Sequence, residues 1–266
     1  MKKYIVSICL GMFLFSSCSN WLDVKPKTTV EEEEVFSREL GFKEALTGAY
    51  IKMASTDLYA KNLSYGFLDI LGQRYQINAV ANYENPLWYT FPSTYTESYT
   101  ETIWAKMYNV IANLNNLLYY CDKNKNVFTT EHYYEIIKGE ALGLRAFLHF
   151  DMLRLFGPSP IMGEDLKAIP YMDSYTNIAK ERSSVKEVLE KVVADLNAAR
   201  ELMKEVDSYG PEYENLKDSY ADDRRLKNRY FHLNYYATTA LLARVELYAG
   251  HTQEALNAAV EIIGEP

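Results

Sequence analysis

An all-α fold built from packed helix pairs is what this sequence predicts, and three observations predict it. Apolar residues recur at intervals of three, four and seven in six separate stretches. Helix-stopping groups divide those stretches, Gly157-Pro158-Ser159-Pro160 and Gly250-His251 among them. No segment gives a convincing strand alternation; Asn78–Thr100 comes nearest and does not read as helix either.

In chain order, residues 19–36 carry Pro26 and the run Glu31-Glu32-Glu33-Glu34, the composition of an extended tether and a charged approach to the fold. Ser37 is placed to cap a helix whose apolar face is Phe42, Leu46, Ala49, Tyr50 and Met53. A second helix is expected from about Glu101 to Tyr120, with Trp104, Met107, Tyr108, Ile111, Asn115 and Leu118 on one stripe. A third runs from about Glu131 to Phe156, facing inward through Ile137, Ala141, Leu144, Leu148 and Leu155. Residues 158–180 form a loop. Ser183 or Ser184 then caps a fourth helix, Val185 to about Val206, with Val188, Val192, Leu196, Ala199 and Leu202 on its face. Residues 207–231 are polar and Tyr-rich and read as an exposed loop. Two last helices are expected at about Asn234–Ala249 and Thr252–Ile263. Their alternation of small and large residues, Ala240, Ala243, Leu247, Tyr248, Gly250, Ala255 and Ala259, resembles a tetratricopeptide (TPR) helix pair. Such pairs need neighbours to bury their outer faces.

The chain has 266 residues, 48% hydrophobic and 24% charged, the balance of a globular protein. Its net charge of −8 argues against a nucleic-acid partner, because phosphate binding wants a basic face. Tyrosine is over-represented, 23 against 11 Phe. Cys121 has no expected disulfide partner and reads as a helix-packing residue. The four His show no metal-ligand spacing, and neither G-x-S-x-G nor a P-loop occurs. Asp122-x-Asn124-x-Asn126 opens like a calcium loop, but Val127 stands where Gly is needed and Tyr133 where the bidentate Glu belongs. No metal or cofactor is therefore expected, and an exported hydrolase is disfavoured. Gly139-x-x-x-Gly143 lies in a helix of the soluble fold and is not read as a membrane dimer motif.

The N-terminus sets the compartment. Lys2 and Lys3 precede an apolar run from Tyr4 to Phe15, too short for a bilayer, which takes about 20 residues. Phe15-Ser16-Ser17-Cys18 follows and looks like a bacterial lipobox. Residues 1–17 are thus expected to be a lipoprotein signal peptide, with Cys18 lipidated, 18–36 a tether and 37–266 the folded domain. Several acyl chains on one residue suffice for stable anchoring.

Six motifs in order resemble the SusD/RagB family of outer-membrane nutrient-uptake lipoproteins of the Bacteroidetes. They are Cys18-Ser-Asn-Trp-Leu-Asp-Val-Lys-Pro26, Leu46-Thr-Gly-Ala-Tyr50, and the helix of Trp104, Tyr108, Ile111, Asn115, Asn116 and Leu118. The strongest spans Lys138, Glu140, Arg145, Phe150, Asp151, Leu155 and Gly157. Arg182 to Leu202 with Ser184 and Asp195-Leu196, and Ala237 to Gly250 with Leu241 and Arg244, complete the set. The resemblance implies a TPR-like right-handed superhelix with irregular ligand-binding loops. It implies no catalysis, and a lid-like role on a TonB-dependent outer-membrane receptor (SusC-like) for oligosaccharide uptake at the cell surface. Some relatives handle peptides. The family is usually longer, so its C-terminal half is expected to be missing beyond Pro266. A lipid-anchored TPR scaffold that binds a protein partner is the alternative.

Sugar rings present apolar C–H faces that lie on aromatic rings, and hydroxyls that a few polar groups fix. Asn78–Thr100 has that composition: Tyr83, Trp88, Tyr89, Phe91, Tyr95 and Tyr99, with only Glu84 and Glu97 charged. The resemblance also puts ligand contacts in the irregular region before the Trp104 helix. Trp88 and Tyr89 are the expected stacking platforms, with Tyr83 and Tyr75 beside them and Asn82, Arg74 and Asp69 as hydroxyl partners. The competing reading is that these aromatics fill core under a long loop. Glu140, Arg145 and Asp151 are expected to make structural ion pairs to neighbouring helices, Asn115 to be a satisfied buried amide, and Arg244 to be a packing or salt-bridge residue.

Overall fold

A computed structural model of the chain describes residues 32–75, 89, 94–211 and 224–264. The chain divides into two units, 1–35 and 36–266. The described part of the first is α1 (Glu32–Val35), one acidic turn where extended tether is expected. Glutamates in a first turn complement the positive end of the helix dipole, which favours the turn.

The second unit contains α2 (Glu39–Met53), α3 (Phe67–Leu71), α4 (Thr94–Lys123), α5 (Tyr133–Phe156), α6 (Val185–Met203), α7 (Arg224–Lys227), α8 (Tyr235–Ala249) and α9 (Thr252–Ile263). The fold is all-α as predicted; the one extended pairing among the described residues is an antiparallel bridge from Lys167 to Ser184. Long helices pack in chain order: α2 on α4, α4 on α5, α5 on α6, α6 on α8 and α8 on α9. That neighbour-on-neighbour order is how helical repeats build a continuous core. α6 thus supplies the neighbour that the α8–α9 pair needs on one side. On the other side, Leu247, Leu256 and Ile263 are exposed. A shallow apolar groove of about 330 Å³ runs there past Ala243, Ala255 and Ala259.

α5 is the axis of the domain. The sequence offers it one apolar face, but the helix is buried almost all round, Gly139, Glu140, Gly143, Arg145, His149 and Asp151 included. The glycines explain how closely its neighbours come. A Cβ on Gly139 would lie 2.8 Å from Met203 Cγ and 3.1 Å from the Ala199 carbonyl oxygen of α6. One on Gly143 would lie 2.7 Å from Leu233 Cδ2. The G-x-x-x-G spacing therefore serves close packing inside this domain.

Three expectations need correction. The helix expected from Glu101 begins at Thr94 and runs to Lys123, so 94–100 leave the irregular region and carry Tyr95 and Tyr99 onto α4. Thr96 is buried there and Tyr99 stacks on Phe67 at 5.0 Å, contacts that outweigh the weak propensity of a Thr/Ser/Tyr run. Ser37 is not the cap of α2; that position is Arg38, with no side-chain bond. The first-turn Glu39 instead accepts from the Thr129 and Thr130 N–H groups at 2.8 Å each. Burial would raise the Glu39 carboxyl, but these bonds and Lys43 hold it down to about 2. Finally, the exposed loop expected over 207–231 contains Asp207, Leu226 and Arg229, all buried.

Ser184, in contrast, caps α6 as expected. It accepts from Glu187 N–H at 3.2 Å while Glu187 accepts from Ser184 N–H at 2.6 Å, a complete capping box. Ser184→Ala should cost about 1 kcal/mol in urea unfolding. An unchanged midpoint would show that the rest of the α6 packing makes the cap redundant.

The segment after α5 is stitched down as a strap. Its backbone is satisfied by side chains: Tyr108 donates to the Pro170 carbonyl at 2.8 Å, Asn115 Nδ2 to Met172 at 2.7 Å, and Arg145 to Asp173 at 3.2 Å. Met172 N–H donates in turn to His149 Nε2 at 3.0 Å. Buried backbone groups need such partners wherever no ladder supplies them.

Candidate functional site

The site expected from the sequence centres on α3. Gly66 lets the chain turn into that helix; a Cβ there would stand 2.8 Å from the Lys61 carbonyl oxygen. Phe67 and Ile70 face inward. Gly72 N–H and Arg74 N–H close the far end on Leu68 and Asp69 carbonyls at 2.8 and 2.9 Å, and Gln73 takes a left-handed φ of 52°. Around this small helix three phenols open to solvent: Tyr65 at 59%, Tyr75 at 44% and Tyr89 at 53% exposure.

Of the predicted residues, Asp69, Arg74, Tyr75 and Tyr89 fall within the described chain; Trp88, Asn82 and Tyr83 lie outside it, as do Cys18 and residues 1–17. Tyr75 Oη approaches Asp69 Oδ2 at 3.4 Å. Slight desolvation and that carboxylate together raise the Tyr75 phenol above its usual range, so it remains a donor. Tyr89 donates to the Leu71 carbonyl, one of the orphan acceptors at the end of α3. This contact ties Tyr89 to the helix while leaving half the ring uncovered. Arg74 is exposed beside them. Tyr65 joins the cluster and was not anticipated; its place just before the turn at Gly66 was the available signal. Chemically the group offers flat apolar faces, a carboxylate acceptor, phenol donors and an exposed guanidinium.

The charged residues of α5 are structural, though not all pair as expected. Arg145 forks onto Asp195 of α6 with two bonds of 2.7 Å and also donates to Asn115 Oδ1 at 2.9 Å. Asn115 is thereby the satisfied buried amide foreseen. Asp151 pairs with Arg154 on its own helix and accepts from Tyr59 at 2.9 Å. Glu140 pairs with Arg229 of the 207–231 segment at 2.9 Å, and Arg229 also bonds Asp207 at 3.0 Å. That network was hidden because its members lie far apart in a stretch that reads as solvated. Arg244 is exposed and edges the α8–α9 groove. Cys121 is buried, and burial pushes its thiol well up, which fits the packing role. Among the described residues no group of three or more His, Cys, Asp or Glu could hold a metal, and no helix is long and apolar enough to cross a membrane.

Residues 20–247 match a SusD-like family model described as "Starch-binding associating with outer membrane". SusD-like protein P38 of Formosa agariphila is 25% identical over 214 residues, 77% of this chain and 38% of that protein. SusD-like protein P2 of the same organism is 23% identical over 218 residues, 76% of this chain and again 38% of the relative. Among solved structures, a SusD superfamily protein from Bacteroides thetaiotaomicron aligns with TM-score 0.63 and 23% identity, over 86% of this chain and 46% of that one. A SusD homolog from the same species gives 0.66 and 20%, over 89% and 42%. The chain thus spans under half the length of these relatives, and the solved structures speak for its fold.

Proposed function

The chain belongs to the SusD-like family, and from that premise we propose that it is a surface glycan-binding lipoprotein that captures oligosaccharide for uptake. The observation that carries this reading is the trio of open phenols, Tyr65, Tyr75 and Tyr89, grouped with Asp69 around α3. Flat rings can accept the apolar face of a pyranose, while Asp69 and Arg74 can bind its hydroxyls. Trp88, Asn82 and Tyr83 belong to the same proposal through their sequence neighbourhood. Lipidation at Cys18 would hold the protein on the outer membrane, and a SusC-like TonB-dependent receptor is the proposed partner to which ligand is passed.

Calorimetry with soluble polysaccharides, starch among them, tests the reading on the full chain in a sugar-free zwitterionic detergent. Tyr89→Ala should weaken binding about fivefold, the weight of one stacked ring. Equal affinity in the variant would remove Tyr89 from the site. A second reading, a lipid-anchored scaffold for a protein or peptide, draws on the exposed apolar groove of α8 and α9. Co-purification of a polypeptide with a chain that binds no glycan would favour it.

A further inference from the structure

We propose that a second saccharide subsite lies at the other end of α4, in a cleft lined by Tyr119 and Tyr175; the ligand class rests on the carbohydrate reading above, while the site rests on its own geometry. The cleft has a volume of about 360 Å³, within the range of small-ligand sites. Three elements build it. Tyr119 and Asp122 stand one turn apart on α4, Lys138 and Leu142 one turn apart on α5, and Ser174 and Tyr175 come from the strap.

Both rings are about half exposed. Their centroids are 6.3 Å apart and their planes meet at 36°. A sugar ring cannot slip between them, because two stacked contacts need about 7 Å. They form instead one bent platform, wider than either ring. The platform is held from beneath. Asn115 and Arg145, both buried, bond the Met172 and Asp173 carbonyls at 2.7 and 3.2 Å and fix the strap just before Ser174 and Tyr175.

Polar groups stand at both rims. Asp122 accepts from Lys138 at 2.5 Å and from Tyr134 at 3.0 Å. Asp173 is held between Lys180 and Lys191. The lining charges are all paired, Asp122 with Lys138, Arg145 with Asp195 and Asp173 with Lys180 and Lys191, so none is left open to an ionic ligand. Half-exposed rings, hydroxyl-binding rims and paired charges together fit a neutral sugar.

Twenty residues of α4 separate Tyr99, which stacks on α3, from Tyr119, a rise of about 30 Å. One long polysaccharide in contact at both ends would gain avidity that a short oligosaccharide cannot. The subsite therefore predicts a preference for polymer.

The test uses the full chain in the same detergent, with soluble starch and other neutral polysaccharides as probes. The variant is Tyr119→Ala with Tyr175→Ala, both exposed. Affinity for the bound polymer should fall about five- to tenfold with the circular dichroism unchanged. Tetranitromethane should modify Tyr119 and Tyr175 less when polymer is bound, with exposed Tyr230 as the unprotected control. Wild-type affinity in the double variant, with equal nitration with and without polymer while Tyr89→Ala still weakens binding, would overturn the subsite and leave the α3 site standing. A wild-type chain that binds no polysaccharide would sink the carbohydrate reading and the subsite with it.

Discussion

Arg229→Ala should be among the most destabilising single substitutions in this protein, with a loss of about 3–5 kcal/mol. Arg229 is fully buried and shares its guanidinium between two fully buried carboxylates, Glu140 at 2.9 Å and Asp207 at 3.0 Å. Burial alone would push Glu140 up, but Arg229, His232 and Tyr50 hold it down to about 2. Take the cation away and Glu140 keeps only His232 and Tyr50, while Asp207 keeps only the Tyr209 and Tyr235 N–H groups. The same network carries the chain from α5 to α2: Tyr50 donates to Glu140 and accepts from Leu233 N–H at 2.9 Å. Asp207 accepts from Tyr235 N–H at 3.1 Å, at the start of α8. The loss should therefore appear in urea unfolding and as easier proteolysis between α6 and α8. Neutralising one stranded charge should recover part of it, so Glu140→Gln costs less beside Arg229→Ala than alone. A midpoint for Arg229→Ala close to wild type would mean that water or a neighbouring cation replaces the guanidinium.

The second large effect is on acid stability. His149 is fully buried on α5, and its two ring nitrogens have opposite partners. Nδ1 faces the Arg145 carbonyl oxygen at 2.9 Å, which can only accept, so Nδ1 carries the proton. Nε2 receives Met172 N–H at 3.0 Å, which leaves no room for a second proton. The ring is stacked on Tyr171 at 3.9 Å, and Tyr108 meets it edge-on at 6.3 Å. Burial first, then the nearby charges of Arg145 and Lys191, bring His149 down to about 3.

In the unfolded chain the same histidine titrates near 6.5. Below that pH the unfolded state takes up a proton that the folded state refuses. Stability should fall by about 1.4 kcal/mol per pH unit, a loss that levels off only near pH 3. The carboxylates add a later loss. Glu39 and Glu140, both lowered to about 2, stabilise the fold fully above pH 4.5 and less as the pH falls from there toward 2. Urea unfolding at several pH values between 7 and 4.5 isolates the histidine. His149→Gln, which keeps one donor and one acceptor, should flatten the profile in that window. A slope that persists in the variant would assign the proton uptake elsewhere.

Much of this architecture could be read from local pattern, because local pattern causes it. Ser184 and Glu187 sit three apart and make their box without help from the rest of the fold. Gly250, with φ of 86°, ends α8 where the pattern stops. The first turns of α4 were hidden because their helix forms through Tyr99 against Phe67, an encounter that nearby residues do not announce. Arg229 was hidden for the same reason. Its neighbours Arg224, Arg225 and Lys227 look solvated, and its partner Glu140 lies 89 residues away. The candidate site was half legible: Asp69, Tyr75 and Tyr89 do gather around one helix, but Tyr65 belongs with them, and Trp88, Asn82 and Tyr83 lie outside the described residues. Tyr119 and Tyr175 meet only through the strap, so nothing near either residue pointed to a platform.

The uncovered flank of α8 and α9 bears on how the molecule behaves in a crowd. Leu247, Leu256 and Ile263 give it an oily stripe over small alanines. Water gains by shedding such a stripe, whatever comes to cover it. Copies in solution should grow stickier as they are concentrated. Were Cys18 lipidated as proposed, copies confined to a single leaflet, where diffusion has only two dimensions, would meet often enough for even a feeble attraction to gather them into clusters.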